Sequence, residues 1–197
     1  MTRLSTSTRM FMLLGLLTTA CGEGSSAVDE TSETDETSGT ETGEPDSPYA
    51  CEDPGVQEFQ PLSGVGYDPV QGLLDPDQSS YVVHSTQILV APEAMPQFIA
   101  DVQAIAAQLA QTEGLIAYGL GSDTTCGFQR TIGIWRDTAS MFAFVGSGAH
   151  AEAMSHTLEL SSTGKTTFWT LDASEFPIDW DDAKLRLAEV EPSGLYD

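Results

Sequence analysis

The 197-residue chain contains no asparagine, and it has only seven lysine and arginine residues against 30 aspartate and glutamate residues. Without asparagine, N-linked glycosylation has no acceptor. The formal net charge of −23 disfavours nucleic acid as a partner, because that affinity rests on lysine and arginine contacts to phosphate. The sequence also lacks the G-x-S-x-G, H-E-x-x-H, P-loop and G-x-G-x-x-G patterns, so hydrolase, zinc-peptidase and nucleotide-binding functions are disfavoured.

The apolar run at residues 10–17 is far shorter than the roughly 20 residues that span a bilayer. Two arginines precede it and small residues follow it up to Cys21, so residues 1–20 are interpreted as a signal peptide. The junction resembles a lipobox, in which the cysteine receives a diacylglyceryl group and becomes the mature N-terminus. Thr18 stands where such sites usually have leucine. We expect an extracytoplasmic protein anchored to a bacterial membrane through Cys21; the alternative is an ordinary cleaved signal peptide.

Residues 21–50 form an acidic segment with nine carboxylate side chains, no basic residue and almost no apolar residue. Such a segment cannot bury enough apolar surface to offset the entropy lost on ordering, so it is predicted to be a disordered linker. Repulsion between like charges would extend it and space the domain from the membrane. Residues 51–80, rich in proline and glycine, are predicted to be an irregular arm.

Once Cys21 is assigned to lipidation, Cys51 and Cys126 remain. In an oxidising compartment an even pair indicates a disulfide, which would tie the arm to the domain. Two free thiols are the alternative. A metal site is disfavoured because two cysteines so far apart lack the usual ligand spacing.

The hydropathy pattern of residues 81–190 predicts one α+β domain, followed by a tail at 191–197. The order is β-α-β-β-α-β plus a short terminal helix, which is the arrangement of a ferredoxin-like fold. The second helix is predicted to break at the glycines of residues 146–148. Strands are predicted over 81–90, 115–120, 128–136 and 166–171, and helices from Met95, from Asp137 or Thr138, from Ala149 and from Asp179.

Three stretches carry a resemblance to a known family: GIWRD at 133–137, MFAFV at 141–145 and SGAHAEAM at 147–154. They resemble the antibiotic-biosynthesis-monooxygenase-like (ABM-like) proteins of the dimeric α/β-barrel superfamily. The resemblance covers about residues 80–190. It implies a homodimer in which two sheets pair, a pocket between each sheet and its helices, and cofactor-independent oxygenase chemistry on an apolar or phenolic substrate.

The chain departs from this family in ways that bear on chemistry. Characterised oxygenases and heme-degrading members use an asparagine on the first strand, and this chain has none. The positions of the tryptophan and the iron-binding histidine of the heme-degrading branch fall on Phe144 and Met154. We therefore predict no cofactor, although a methionine can ligate heme iron and heme binding without degradation stays open.

The candidate catalytic residues are His84 and His150. His84 lies in the middle of the first predicted strand of the domain and is either a structural residue, a general base or a hydrogen-bonding group for substrate. His150 lies near the start of a helix, where the helix dipole favours the neutral imidazole that a general base requires. His156 is interpreted as a solvated surface residue.

The candidate ligand-binding residues are three aromatic residues and two others. Aromatic rings of this kind more often form a core than a pocket, but apolar pockets are built from the same residues. Arginine is expected to pair with acidic residues, or to hold an anionic or phenolic oxygen if it points inward. The set comprises Trp135, Phe144, Trp169, Met154 and Arg130.

Two functions are compatible with these residues. The first is a cofactor-independent monooxygenase-like enzyme in which His84 and His150 manage protons. The second is a non-catalytic binding or structural module, which the lack of asparagine favours.

We expect a Cys21→Ser variant to lose lipid attachment, because no other cysteine follows the apolar run closely enough to be modified. Mass spectrometry of the mature N-terminus and extraction into detergent would measure this. A wild-type chain cleaved at another position, with an unmodified Cys21, would contradict the prediction.

Overall fold

A computed structural model of the chain describes residues 47–51, 55–75 and 78–196. The predicted signal peptide, Cys21 and the linker up to residue 46 lie outside the described residues. No helix within the described ranges is long and apolar enough to cross a membrane.

The regular elements alternate between strands and helices, with short 3₁₀ turns at several junctions. The strands are β1 (Val56–Ser63), β2 (Tyr67–Asp68), β3 (Gly72–Leu73), β4 (Ser80–Val90), β5 (Leu115–Asp123), β6 (Phe128–Trp135) and β7 (Ser161–Asp172). The helices are α1 (Met95–Leu109), α2 (Thr138–Val145), α3 (Gly148–Leu160) and α4 (Trp180–Ala188).

The main sheet has the strand order β1-β5-β6-β4-β7, and all its neighbouring strands are antiparallel. Strands β4, β5, β6 and β7, with α1 between the first two and α2 and α3 before the last, form the predicted ferredoxin-like unit. The α+β class and the β-α-β-β-α-β order are thereby confirmed. Strand β7 begins five residues earlier than predicted, and β5 ends three residues later.

The prediction that residues 51–80 form an irregular arm is wrong for residues 56–63. These residues form β1, which pairs with β5 and extends the sheet by a fifth strand. Pro61 and the surrounding glycines made this segment resemble a loop. A proline is tolerated here because β1 is an edge strand, where one backbone N–H is not required by a neighbour.

Local signals fix the break in the second helical region. The Asp137 side chain accepts a hydrogen bond from the Ser140 N–H at 2.7 Å and caps α2. Gly148 has a φ of 56°, which favours glycine, and α3 starts there rather than at Ala149. The chain can therefore change direction between α2 and α3, and α3 packs beside α1 over one face of the sheet.

The opposite face of the sheet is covered by α4 and by the short β2–β3 hairpin of the same chain. Val83, Ala117 and Ile134 are completely buried there, against residues that include Ala183 of α4. Burying apolar side chains on both faces produces a three-layer arrangement. The resemblance implies a homodimer through this face, but residues of α4 and of the β2–β3 hairpin pack there in this chain. The dimer stays a prediction, and sheet-to-sheet pairing would require α4 to move.

The disulfide predicted between Cys51 and Cys126 is present, with a Cα–Cα distance of 5.8 Å. It joins the chain ahead of β1 to the turn between β5 and β6. The sequence separation is 75 residues, and closing a loop of this size stabilises a fold by about 4 kcal/mol in the chain-entropy model.

The residues predicted as a tail also belong to the domain. The Ser193 N–H donates to the Gly164 carbonyl at 2.8 Å, and the hydroxyl groups of Tyr196 and Ser161 are 2.7 Å apart. The C-terminal turn is thus held against the start of β7, where Ser193 and Tyr196 line a cavity.

Candidate functional site

A cavity of about 580 Å³ lies between the sheet and helices α1 and α3. This volume is within the range of about 300–1,000 Å³ that is typical of small-molecule sites. The helices contribute mostly apolar side chains, among them Val102, Ile105 and Ala153. His84 and His150 line the same cavity, so the two predicted catalytic residues are brought together.

His84 projects from β4 and is held by a tryptophan of the neighbouring strand. The Trp135 Nε1–H donates to His84 Nδ1 at 2.8 Å. Because an indole nitrogen can only donate, His84 Nδ1 must be the unprotonated nitrogen. In the neutral ring the proton therefore sits on Nε2, and the Gly133 carbonyl is a hydrogen-bond partner of the ring.

Gly133 makes room for this pair. It is directly opposite His84 in the β4–β6 register. A Cβ atom on residue 133 would overlap the His84 ring and would lie 3.1 Å from Trp135 Nε1. The absence of a side chain at this position thus allows the imidazole and the edge of the indole to meet above the β6 backbone.

The environment keeps His84 neutral at physiological pH. Burial away from bulk water lowers its pKa from 6.5 to about 4, the proximity of His150 adds to the shift, and the Gly133 carbonyl opposes it. The residue is partly buried and contributes to the cavity wall.

In His150 the protonated and unprotonated ring nitrogens are exchanged relative to His84. Its Nδ1 lies 3.1 Å from the Val145 carbonyl oxygen, which can only accept, so Nδ1 carries the proton and Nε2 is left as an acceptor. Its backbone N–H donates to Gln108 Oε1 at 2.9 Å. Burial lowers the pKa of His150, and the Val145 bond partly opposes this shift, so the imidazole is neutral near pH 7.

Two predicted aromatic residues connect the histidines. The ring centroids of Trp135 and Phe144 are 5.0 Å apart, and those of Phe144 and His150 are 4.6 Å apart. Trp135 and Phe144 are nearly completely buried and line the cavity. These contacts restrict the orientation of both imidazole rings.

Trp169 does not line the cavity, contrary to prediction, whereas Arg130 is among the residues around it. Trp169 is opposite Val83 in the β4–β7 register and packs on the other face of the sheet. The Arg130 guanidinium donates to both carboxylate oxygens of Asp123, at 2.5 and 2.7 Å, and to Gln87. Side chains alternate between the faces of a strand, and the sequence alone did not reveal which face these two residues share.

Met154 lines the cavity one helical turn after His150 and is 46% exposed. His156 is partly buried rather than fully solvated, with Nδ1 3.3 Å from Asp101 Oδ2. Within the described residues, no three histidine, cysteine or acidic side chains are grouped so that they could hold a metal ion.

Tyr118 and Gln108 belong to the site but carried no signal that singled them out in the sequence. Tyr118 lines the cavity, and the register places Tyr118, Gly133 and His84 in one row across β5, β6 and β4. Gln108 holds the start of α3 through the His150 N–H and through its own amide, which donates to the Ser147 carbonyl at 3.1 Å. Both roles depend on contacts between elements far apart in the chain.

No family model and no curated protein matches this chain. Among solved structures it is similar to a protein named Putative monooxygenase from Fusobacterium nucleatum, at 18% identity and a TM-score of 0.42, over 47% of this chain and 42% of that one. It is also similar to a Mycobacterium tuberculosis protein, at 17% identity and a TM-score of 0.42, over 50% and 96% of the two chains. A variant of SnoaB, a cofactor-independent oxygenase from Streptomyces nogalater, is 16% identical with a TM-score of 0.41, over 46% and 92%. Similarity at this level does not assign a substrate or an activity to this chain.

The low pKa of His84 makes stability depend on pH. Between pH 6.5 and about pH 4 the unfolded chain binds a proton at this position and the folded chain does not, so stability falls as the pH falls. Between roughly pH 7.5 and pH 4.5, we expect the free energy of unfolding of the wild type to fall by about 2 to 3 kcal/mol more than that of His84→Gln. Urea denaturation at the two pH values would measure this difference.

The His156→Gln variant is the control, since His156 does not line the cavity, and it should retain the wild-type loss. Equal losses in the wild type and in His84→Gln would show that His84 titrates normally.

Proposed function

We propose that this protein is an exported, lipid-anchored, monooxygenase-like enzyme that acts on a small apolar molecule without a bound cofactor. The observation that carries the proposal is that two neutral histidines line one apolar cavity of small-molecule size. The resemblance of residues 133–154 to ABM-like proteins supports oxygenation as the reaction type.

His150 is the residue suited to remove a proton. Its Nε2 is an unprotonated acceptor in a neutral ring, and the Val145 carbonyl holds Nδ1–H in place. When Nε2 takes the proton of a substrate hydroxyl, the imidazolium that forms is stabilised through the same Nδ1–H bond. General base catalysis of this kind contributes roughly 10²–10⁴-fold to rate.

His84 is the residue suited to stabilise the negative charge that results. Trp135 holds the ring through Nδ1, and a shift of the Nε2–H bond from the Gly133 carbonyl to the substrate oxygen would stabilise an oxyanion in a water-poor site. The electron-rich anion can then reduce dioxygen directly. In balance, a substrate CH₂ group and one O₂ yield a carbonyl group and one water.

The proposed location is the outer side of a bacterial membrane. The signal-like first 20 residues and the lipobox-like junction at Cys21 support it, and the disulfide between Cys51 and Cys126 fits an oxidising compartment. The acidic linker would hold the domain away from the lipid surface.

A binding protein without catalysis is the second candidate. The absence of asparagine removes the residue on which the resembling oxygenases rely. His150 and Met154 lie one turn apart on α3 and line the cavity together, and either can ligate heme iron, so heme is one ligand that such a module could take.

The test of catalysis is oxygen uptake by the purified full chain carrying Cys21→Ser, with quinol- and anthrone-type substrates and no added cofactor. We expect His150→Ala to reduce the rate by roughly 100-fold or more, because the base is lost. His156→Ala is the matched control and should keep the rate. Equal rates for His150→Ala and the parent would show that His150 has no part in the mechanism. No oxygen uptake by the parent would contradict catalysis and favour the binding protein.

A further inference from the structure

We infer that a second pocket, on the α4 side of the sheet, binds a doubly negative oxyanion such as the phosphate group of a small molecule. The pocket has a volume of about 180 Å³. The inference does not depend on the proposed function, because it concerns a site on the other face of the sheet. It follows from where the few basic residues of the chain lie.

The strand register places this pocket on the α4 side. Lys165 of β7, Gln87 of β4 and Arg130 of β6 are directly opposite one another and form one row across three strands. Side chains an even number of residues apart on a strand share a face, and Val83, four positions before Gln87, packs in the core next to α4. Lys184 of α4 lines the pocket as well.

The pocket wall gathers positive charge in a chain that has little of it. Three of the seven lysine and arginine residues line the pocket, namely Arg130, Lys165 and Lys184. Among the described residues, Asp123 is the one acidic side chain in the wall. Three positive charges and one negative charge give the wall a net charge of +2, which matches a dianion.

Two stacked aromatic rings hold two of these cations in place. The ring centroids of Tyr49 and Phe128 are 5.2 Å apart with 19° between the planes. Lys165 Nζ lies 4.5 Å from the centroid of the Tyr49 ring, and Arg130 Cζ lies 5.7 Å from that of the Phe128 ring. Arg130 and Lys165 also border the first cavity, but Tyr49 lines only the second pocket, so its attraction for the ammonium directs Lys165 there.

The arrangement suits a tetrahedral anion better than a planar carboxylate. Bidentate binding of a carboxylate needs a free edge of a guanidinium, and the Nε and Nη2 edge of Arg130 already donates to Asp123 at 2.5 and 2.7 Å. Gln87 Oε1 accepts from Arg130, so the other terminal atom of its amide is a donor. Lysines act on phosphate as point charges, and here they come from two different elements.

The charge of the whole chain favours a small free molecule over a lipid headgroup as the source of the phosphate. The formal net charge is −23, and an anionic lipid surface repels a protein of the same sign. A small phosphate compound can enter the pocket without bringing such a surface close to the domain.

Calorimetry of the full chain carrying Cys21→Ser tests this inference with inorganic phosphate, glycerol 3-phosphate and acetate at constant ionic strength. The pH is about 7.5, where a phosphate monoester is mostly a dianion. We expect both phosphate compounds to bind at one site about tenfold or more tightly than acetate, because a dianion meets two lysines. Equal affinities for phosphate and acetate, or no binding of either phosphate compound, would overturn the inference.

Substitutions on two elements locate the site. Lys165→Gln and Lys184→Gln should each weaken phosphate binding about tenfold, because each removes one charge and one donor. Arg186→Gln is the matched control, since it removes the same charge from α4 but Arg186 lies over Trp169 and outside the pocket wall. An equal loss in Lys184→Gln and Arg186→Gln would show that phosphate responds only to overall charge and would overturn the site. The comparison of the three probes in the parent chain needs no variant.

Sedimentation with phosphatidylcholine vesicles that contain phosphatidic acid distinguishes the two sources of phosphate. We expect the unlipidated chain to stay in the supernatant. Sedimentation that Lys184→Gln abolishes would support the pocket and assign its phosphate to a lipid headgroup. Sedimentation that Lys184→Gln leaves unchanged, without binding of free phosphate, would overturn the inference.

Discussion

The hydrogen bond from Trp135 to His84 constrains the rest of the candidate site. It joins β6 to β4 on the cavity side, and it forms only because residue 133 has no side chain. It leaves His84 with one orientation and one neutral tautomer. The Val145 carbonyl likewise fixes the orientation and tautomer of His150, but there the proton is on Nδ1. Both histidines in the wall of the apolar cavity are thus held in defined orientations.

The order of elements was predictable because it depends on local patterns. Helical spacing from Met95 to Leu109 and the turn at Gly146–Gly148 are visible within short windows of sequence. Strand β1 was not predictable, since Pro61 and the neighbouring glycines are equally compatible with a loop and only pairing with β5 makes the segment a strand. Local signals therefore gave the ferredoxin-like core but not the strand at its edge.

The site was predictable only in part, because it depends on contacts between distant residues. His84 and His150 were recognisable as candidates by residue type alone, and the fold brings them to one cavity. The contact between His84 and Trp135, 51 positions apart, requires the register of β4 and β6. The same register places Trp169 on the other face of the sheet, because neighbouring positions on a strand point to opposite sides. Arg130 is then held by Asp123, a buried partner that the sequence does not identify.

A long-range ¹H–¹⁵N correlation spectrum of histidine-labelled protein near neutral pH measures the tautomers of the two histidines directly. We expect two neutral rings of opposite kind, with the proton on Nε2 of His84 and on Nδ1 of His150. A Trp135→Phe variant should no longer fix the tautomer of His84 and should leave that of His150 unchanged. A spectrum in which both rings have the same tautomer, or in which His84 is an imidazolium, would show that these assignments are wrong.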